Sequence, residues 1–469
     1  MSPDSLDQLD RSEAIRLVLE QAEQIRALVE QNRVLTEQHR ILTEQNAALQ
    51  ARVAALEAQL NIPPKTPDNS SLPPSKGQKS NRPDAPKKRR KGRPGTTREL
   101  CPDPDHVRDF YAEACTGCGT ALSPADQPDM HAYDHIDLPP IKPVTTRINL
   151  HSGDCPCCGE RVAATPPADM PVGSPFGPGI VALVVYLHAC QMVSYNRLVE
   201  MLKGLFGLTL SEGAIANMLA RAAPSFAAAG RRIEATVRAA SVIASDETSA
   251  RVLGKTHWQW VFGCATAVLH IIAQSRGKAV VTAFLAGARP QVWISDRLAA
   301  QCGHADAHQV CLAHLLRNTQ FAIDAGDTIF APGFKGLLKR ACAIGRRRED
   351  LADSTLADHR RDLDRRLDHW LATAPNRAPG IKLQAAIRDC RAKLFVFVTR
   401  RDVPATNNVS ERALRPSVIF RKVTNGFRSQ WGANVYADIC SIVATSRLNG
   451  GTALDAIREA LAAGPAAAA

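Results

Sequence analysis

Leucine returns at every seventh residue, at Leu28, Leu35, Leu42, Leu49 and Leu56, and only a long helix can carry that interval on a single seam. These leucines take the d positions, leaving Ile25, Asn32, His39, Asn46, Val53 and Leu60 at the a positions. Asparagine at a fixes register and disfavours higher-order packing in two-stranded coils, so residues 1–60 read as a parallel coiled-coil dimerisation helix. A helix packed against its own protein is the alternative, but it calls for a wider apolar stripe.

After Asn61 the composition turns to Pro, Ser, Lys and Gly, as in "NIPPKTPDNSSLPPSKGQKSNRPDAPKKRRKGRPGTT". Such a segment buries too little apolar surface to stay folded, so residues 61–100 read as a basic, Pro-rich linker. Its end, Lys87, Lys88, Arg89, Arg90, Lys91, Gly92, Arg93, Pro94 and Gly95, resembles an AT-hook, with Lys91 where the first arginine of the hook belongs. Plain phosphate attraction would use the same cations. Lys plus Arg outnumber Asp plus Glu by 58 to 46, giving a net charge of +12, and that excess favours a polyanionic partner over a merely solvated basic surface.

The N-terminal residues are acidic and lack an apolar signal core, and the most apolar run, Gly179 to Val193, is too short for a bilayer and holds His188. The expectation is a cytoplasmic protein with no membrane partner. In a reducing compartment the 13 cysteines read as thiols or metal ligands. Cys115-Thr-Gly-Cys118 and Cys155-Pro-Cys157-Cys158 each have the spacing that lets two thiolates grip one ion from a tight turn, with glycine following. Residues 101–172 therefore read as a zinc-binding ribbon holding one structural ion through Cys115, Cys118, Cys155 and Cys158. Cys157 and Cys101 fall outside that set. Cys302, His304, Cys311 and His314 could suggest a second zinc site, although an i,i+3 pair such as Cys311 and His314 also suits helix packing.

Residues 173–240 read as helical. One helix ends near Phe206 and Gly207, and Ser211 caps another that turns Ile215, Leu219 and Ala220 inward while exposing Glu212, Asn217 and Arg221. This is a helix-turn-helix pattern, which serves DNA reading and purely structural hairpins alike.

In residues 241–323, "SVIASDET", "HWQWVFGCATA" and "VLHIIAQSRG" read as three strands, "KAVVTAFLAG" as a helix, and "QVWISD" as a further strand. That order matches the front half of an RNase H-like α/β fold, in which central strand ends present acids. Here the acids are Asp246, with Glu247 beside it, and Asp296. Turn-forming acids are common at strand ends, so these two are suggestive only. Glu411 adds a third, early in an amphipathic helix that follows Asn407 and Asn408 and also bears Arg412 and Arg415. Hard oxygen ligands from two strands and a helix suit magnesium. Residues 324–400 read as an inserted helical domain and 401–469 as the Glu411 helix with C-terminal helices.

Taken together, the coiled coil, "PPKTPDNSSLPPS", the two cysteine knuckles, "DET", Trp258-x-Trp260-x-Phe262, "SD", "CLAH", "NNVSERALRP" and "RKVTNGFRSQWGANVYADICSIVATSRLNG" resemble bacterial transposases of the insertion-sequence sixty-six family, which carry an Asp-Asp-Glu triad. The resemblance implies that Asp246, Asp296 and Glu411 are catalytic and hold two magnesium or manganese ions per site, with Asp246 touching both. It implies cleavage at element ends followed by strand transfer without a covalent protein intermediate. The implied partners are double-stranded DNA at element ends and target, a homodimer or higher synaptic assembly, and small accessory proteins of the same element. Glu247 reads as a supporting acid, and Asn408 and Arg412 as groups that orient Glu411 or meet a phosphate oxygen. Arg412, Arg415, Arg421 and Lys422, with Arg428, form a basic series that faces either DNA or plain solvent. A non-catalytic zinc-ribbon and zipper regulator and a hydrolytic RNase H-like nuclease are the rival readings.

Overall fold

The computed structural model describes residues 11–60, 63–70, 98–173 and 175–465. The basic arm, Lys87, Lys88, Arg89, Arg90, Lys91 and Arg93, lies outside the described residues. The chain divides into two compact units: one made of residues 1–77 and 311–405, the other of 78–310 and 406–469.

The first unit begins with a 50-residue helix, α1 (Arg11–Leu60). Along it Leu28, Leu35, Leu42 and Leu49 are all more than half exposed. Arg40 reaches both Glu37 (2.7 Å) and Glu44 (2.6 Å), one-turn pairs that stabilise a helix surface by a few tenths of a kcal/mol.

Residues 63–70 correct part of the linker expectation. They form a turn in which the Thr66 N–H donates to Asn69 Oδ1 (2.7 Å) and Asn69 Nδ2 donates to the Pro64 carbonyl (3.2 Å) and to Asp324 Oδ2 (3.1 Å). Asn69 and Ser70 are buried. Side-chain hydrogen bonding, not apolar burial, orders this stretch, and a composition argument is blind to that.

The rest of the unit is helical. Beyond Asp324 it carries the helical insertion, and the sheet-free run starts earlier, with α6 (Leu312–Asp324) packing against α7 (Phe330–Arg347) and α9 (Ala378–Asp389). α7 also meets α8 (Asp353–Ala372), which packs on the short α10 (Val396–Thr399). Its core holds Phe330 stacked on Phe334, with Leu338, Leu363, Leu367 and Phe397. Asp327 Oδ1 accepts from the Ile329 and Phe330 N–H groups and so starts α7.

The second unit opens with the cysteine region. A small antiparallel hairpin, β1 (Ser152–Asp154) and β2 (Arg161–Ala163), frames the second knuckle. Most of residues 98–172 is exposed, with Phe110 at 86% and Val144 at 93%.

Next come α2 (Pro178–Val185), a π-helical turn at Tyr186–Cys190, α3 (Tyr195–Phe206) and α4 (Glu212–Arg238). Gly207, at φ 67°, ends α3, and the Ser211 side chain accepts from the Ala214 N–H (3.1 Å) to start α4, as the sequence suggests. Glu212, Asn217 and Arg221 are exposed, but so is Ala220; Met218 takes the inward place beside Ile215 and Leu219. At 27 residues α4 is longer than the motif called for, and its buried face packs along α12 (Gln430–Leu448).

The five-stranded sheet has the order β5-β4-β3-β6-β7. β3 (Val242–Val252), β4 (Lys255–Gly263) and β5 (Val268–Ala273) form an antiparallel meander; α5 (Lys278–Leu285) then crosses over to β6 (Val292–Ser295) and β7 (Ala307–Val310), which run parallel to β3. Side chains alternate across it. One face carries Ile243, Trp260, Phe262 and Trp293 against Val281, Phe284 and Leu285 of α5. The other receives α11 (Asn408–Thr424) and α12 (Gln430–Leu448), with α13 (Ala453–Ala462) beyond.

α12 also covers the β5 edge of the sheet. Ser441 and Thr445, one turn apart, accept from the N–H groups of His270 (2.8 Å) and Val268 (3.0 Å) on β5, and Asn449 donates to the Thr266 carbonyl (2.9 Å). An edge strand with its outward donors taken cannot recruit another strand.

α11 is pinned to β3 at its far end. Arg421 donates to the carbonyl and hydroxyl of Ser249, and past the helix Phe427 exchanges backbone bonds with Arg251 (2.8 Å) and Leu253 (2.9 Å). Gly426 between them has φ 106°, and a Cβ there would sit 2.6 Å from the Arg251 carbonyl. Gly426→Ala should therefore cost on the order of 1–3 kcal/mol, read as a lowered melting temperature.

Candidate active site

Register decides where the two strand acids stand. β3 and β6 pair in parallel as Val242↔Val292, Ile243↔Trp293 and Ala244↔Ile294, a constant offset of 292 − 242 = 50. Asp246 and Asp296 have the same offset, 296 − 246 = 50, two residues past the last pair. Adjacent strands lie ~4.8 Å apart and equal positions share a face, so both carboxylates emerge side by side.

The face they share is the one α11 covers. Val261, opposite Asp246 on β4, packs with Val268 and with Leu414 of α11. Glu411 lies three residues before Leu414, on the same side of the helix and in its first turn, where the helix N-terminus favours a negative charge. Buried, small Ser410 and the Val409 contact at 3.8 Å from where a Gly263 Cβ would lie keep that end of the helix close to the sheet.

Asp246 lies within electrostatic reach of Asp296 and Glu411, although the ligand oxygens of the three are not all within 4.8 Å of one another. Desolvation first, then the charges of Glu247 and Asp296 and, more weakly, of Glu411, push the Asp246 carboxyl up to about 8 against the opposing Glu247 N–H. Asp246 Oδ1 accepts that N–H (2.9 Å), and Asp296 Oδ1 accepts from Leu298 N–H (2.8 Å). Like charges near a buried carboxylate disfavour its ionised form, and a divalent cation bound beside Asp246 would reverse that penalty. An all-carboxylate donor set fits a hard ion of the magnesium or manganese class.

Glu247 points to the opposite face, as strand alternation requires. Its side chain is 2% exposed, with Oε1 accepting from Arg276 Nε (3.1 Å) and Nη2 (2.7 Å) and Oε2 accepting from Gln301 Nε2 (2.9 Å). Trp293 Nε1 donates in turn to Gln301 Oε1 (3.0 Å), and the Arg276 guanidinium stacks 4.5 Å from the Trp258 ring. This network explains the paired acids of "SDET": one faces the site, the other anchors the strand. Arg276 and Gln301 were not singled out in the sequence, because nothing local marks them.

Among the other sequence candidates, Arg412, Arg415 and Lys422 are exposed on α11, whereas Arg421 is turned onto Ser249 as described. Cys302 and His304 belong to the second unit and Cys311 and His314 to the first. His304 Nε2 bonds the Ala300 carbonyl (2.8 Å) and its ring lies 5.5 Å from Trp293, a packing role.

The knuckles share one backbone pattern. Gly119 and Gly159, at φ 78° and 72°, donate back to the carbonyls of Cys115 (2.9 Å) and Cys155 (2.8 Å). Thr120 chiefly, with Cys115, lowers the Cys118 thiol to about 7, and the Cys158 and Cys157 backbone lowers Cys155. Each pair thus holds a thiol of lowered pKa in a tight turn. The pairs are not gathered at one point: among the described residues no three of the four sulfurs lie within 4.8 Å of one another.

Comparison with known families bears directly on this site. Residues 173–435, more than half of the 469, match the family described as Transposase IS66 family. The chain belongs to that family. The matched span contains Asp246, Asp296 and Glu411 and ends within α12. No curated protein matches the chain. Among the described residues no helix is long and apolar enough to cross a membrane.

The acid cluster sets a pH dependence. A carboxyl whose folded pKa lies above its unfolded value contributes stability at low pH that is lost as pH rises through the folded value. The metal-free protein should therefore melt at progressively lower temperature as pH is raised from the ordinary aspartate range through about 8. Magnesium added at the alkaline end should raise the melting temperature again, and Asp246→Asn should flatten both responses.

Proposed function

We propose that this transposase-family chain is a DNA transposase of the Asp-Asp-Glu type, with an RNase H-like catalytic sheet, acting on the ends of a bacterial insertion sequence. The observation that carries the reading is the equal offset of Asp246 and Asp296 on neighbouring parallel strands, with Glu411 brought over the same face by α11.

Asp246 would be shared by two divalent cations, with Asp296 and Glu411 completing one each; such ions, when bound, neutralise a phosphodiester and acidify a hydroxyl. The chain's own contribution is to hold these oxygens in place. β3 and β6 fix the two aspartates by register, and the first turn of α11 presents Glu411. Exposed Arg412, Arg415 and Lys422 run along that helix and would meet phosphate oxygens of the DNA backbone, positioning it without reading sequence. Cleavage adds water across a P–O3′ bond at the element end, leaving a 3′ hydroxyl and a 5′ phosphate. In joining, that hydroxyl displaces the 3′ oxygen of a target phosphodiester.

α1 supports a dimer, because a helix that leaves Leu28, Leu35, Leu42 and Leu49 exposed needs a second apolar seam to cover them. The two knuckles would close on one structural zinc, bracing a region with little buried core of its own. Leu35→Asp combined with Leu42→Asp should convert a dimer into a monomer in light scattering, with the sheet unit still folded by circular dichroism. An unchanged mass would remove α1 as the dimer contact.

Labelled element ends, target DNA and magnesium test the main reading. Joined products are expected from the wild type; cut ends alone would indicate a nuclease, and retention without cutting a regulator. Glu411→Gln should abolish cutting and joining by a factor of at least ~10³ while DNA retention persists. Activity that survives this change removes Glu411 from the site.

A further inference from the structure

Asn407 stands at the N-cap of α11, a position where asparagine ordinarily turns its side-chain oxygen back to accept from the helix's own first N–H groups. It makes no such side-chain cap. Instead, Nδ2 donates to the carbonyl of Ser245 (2.7 Å), across 162 positions of sequence. The residue is 1% exposed.

The two ends of this bond define its consequence. Ser245 immediately precedes Asp246 and lies one residue past Ala244↔Ile294, the last β3–β6 pair, where the parallel strands cease to be paired. At the other end, the Asn407 carbonyl accepts from the Glu411 N–H (3.1 Å), closing the first turn of α11. One buried side chain therefore links the backbone beside Asp246 to the turn that carries Glu411.

We propose that Asn407 is a positioning residue, whose amide sets the stance of Glu411 over Asp246 by bonding the first turn of α11 to β3. This rests on the reading of Asp246 and Glu411 as members of one cation-binding triad. The role needs a donor of this length. A carboxylate cannot donate to the Ser245 carbonyl and would add another negative charge to a corner already holding Asp246, Asp296 and Glu411. Alanine leaves a buried carbonyl without this donor. The Arg421 bonds to Ser249 and the Phe427 bridges hold the far end of α11 on β3 independently, so loss of the Asn407 bond should loosen the first turn without releasing the helix.

The test uses full-length protein with Asn407→Ala, Asn407→Asp, Glu411→Gln and the Asn407→Ala/Glu411→Gln double variant. Its readouts are single-turnover cleavage, DNA retention, melting temperature and manganese binding followed by electron paramagnetic resonance. For Asn407→Ala the expectation is a cleavage rate down about 10- to 100-fold, the range commanded by outer partners of metal ligands. DNA retention should be unchanged and manganese bound more weakly. In the Glu411→Gln background, Asn407→Ala should produce no further loss of manganese affinity, because its effect passes through Glu411. Asn407→Asp should lose at least as much cleavage as Asn407→Ala.

Wild-type cleavage and manganese affinity in Asn407→Ala would overturn the proposal. So would a loss of melting temperature and DNA retention in step with activity, which marks a structural role only, or an equal loss of manganese affinity with and without Glu411. Failure of the triad reading looks different: Glu411→Gln itself would then cut DNA and bind manganese as the wild type does.

Discussion

The parallel register of β3 against β6 is the constraint on which the rest of the sheet unit and its candidate site depend. A sheet places side chains with a period of two, so sliding β6 by a single residue would send Asp296 to the α5 face while Asp246 stayed under α11. The register is held by side chains on both faces, Ile243 and Trp293 against α5 on one and the covering helices on the other. Because Trp260, Phe262 and Trp293 are fully buried on the α5 side, a slip would exchange large buried rings for small and polar neighbours. Packing on one face thus fixes chemistry on the other.

α11 is the second determinant, since a helix that delivers a single carboxylate must be held against both translation and rotation. Leu414 between Val261 and Val268 sets its rotation, and bonds to β3 at both ends limit its translation. These contacts are largely polar and lie at a strand end and a hairpin, where the ladder leaves backbone groups open. α12 follows the same logic at the β5 edge, using Ser441, Thr445 and Asn449 at four-residue intervals. The sheet is finished by side chains wherever strands do not supply partners.

Charge is distributed to match. Glu247 is paired with Arg276 and bonded by Gln301 on the far face, so the acid next to Asp246 in sequence is engaged elsewhere, although its charge still pushes the Asp246 carboxyl up. Asp246 keeps its burden of like charge, and that strain is what a bound cation would relieve. Two neighbouring carboxylates, one bonded by Arg276 and Gln301 and the other on the face that α11 covers, show how strand alternation sends adjacent acids to opposite sides of a sheet.

Much of this was legible in the sequence because it depends on local period and spacing: the heptads of α1, the strand runs that end on acids, the cap at Ser211 and the glycine after each cysteine pair. Their physics involves neighbours a few residues apart, which the chain order preserves. Tertiary structure alone decided what depends on distant partners. It set the offset that aligns Asp246 with Asp296, diverted Arg421 to Ser249, and ordered residues 63–70 through the bond of Asn69 to Asp324. It also turned Asn407 from a turn-former into a tie to Ser245. A hydrogen-bonding side chain carries no mark of which partner it will meet, so sequence names the groups and only the fold assigns their bonds.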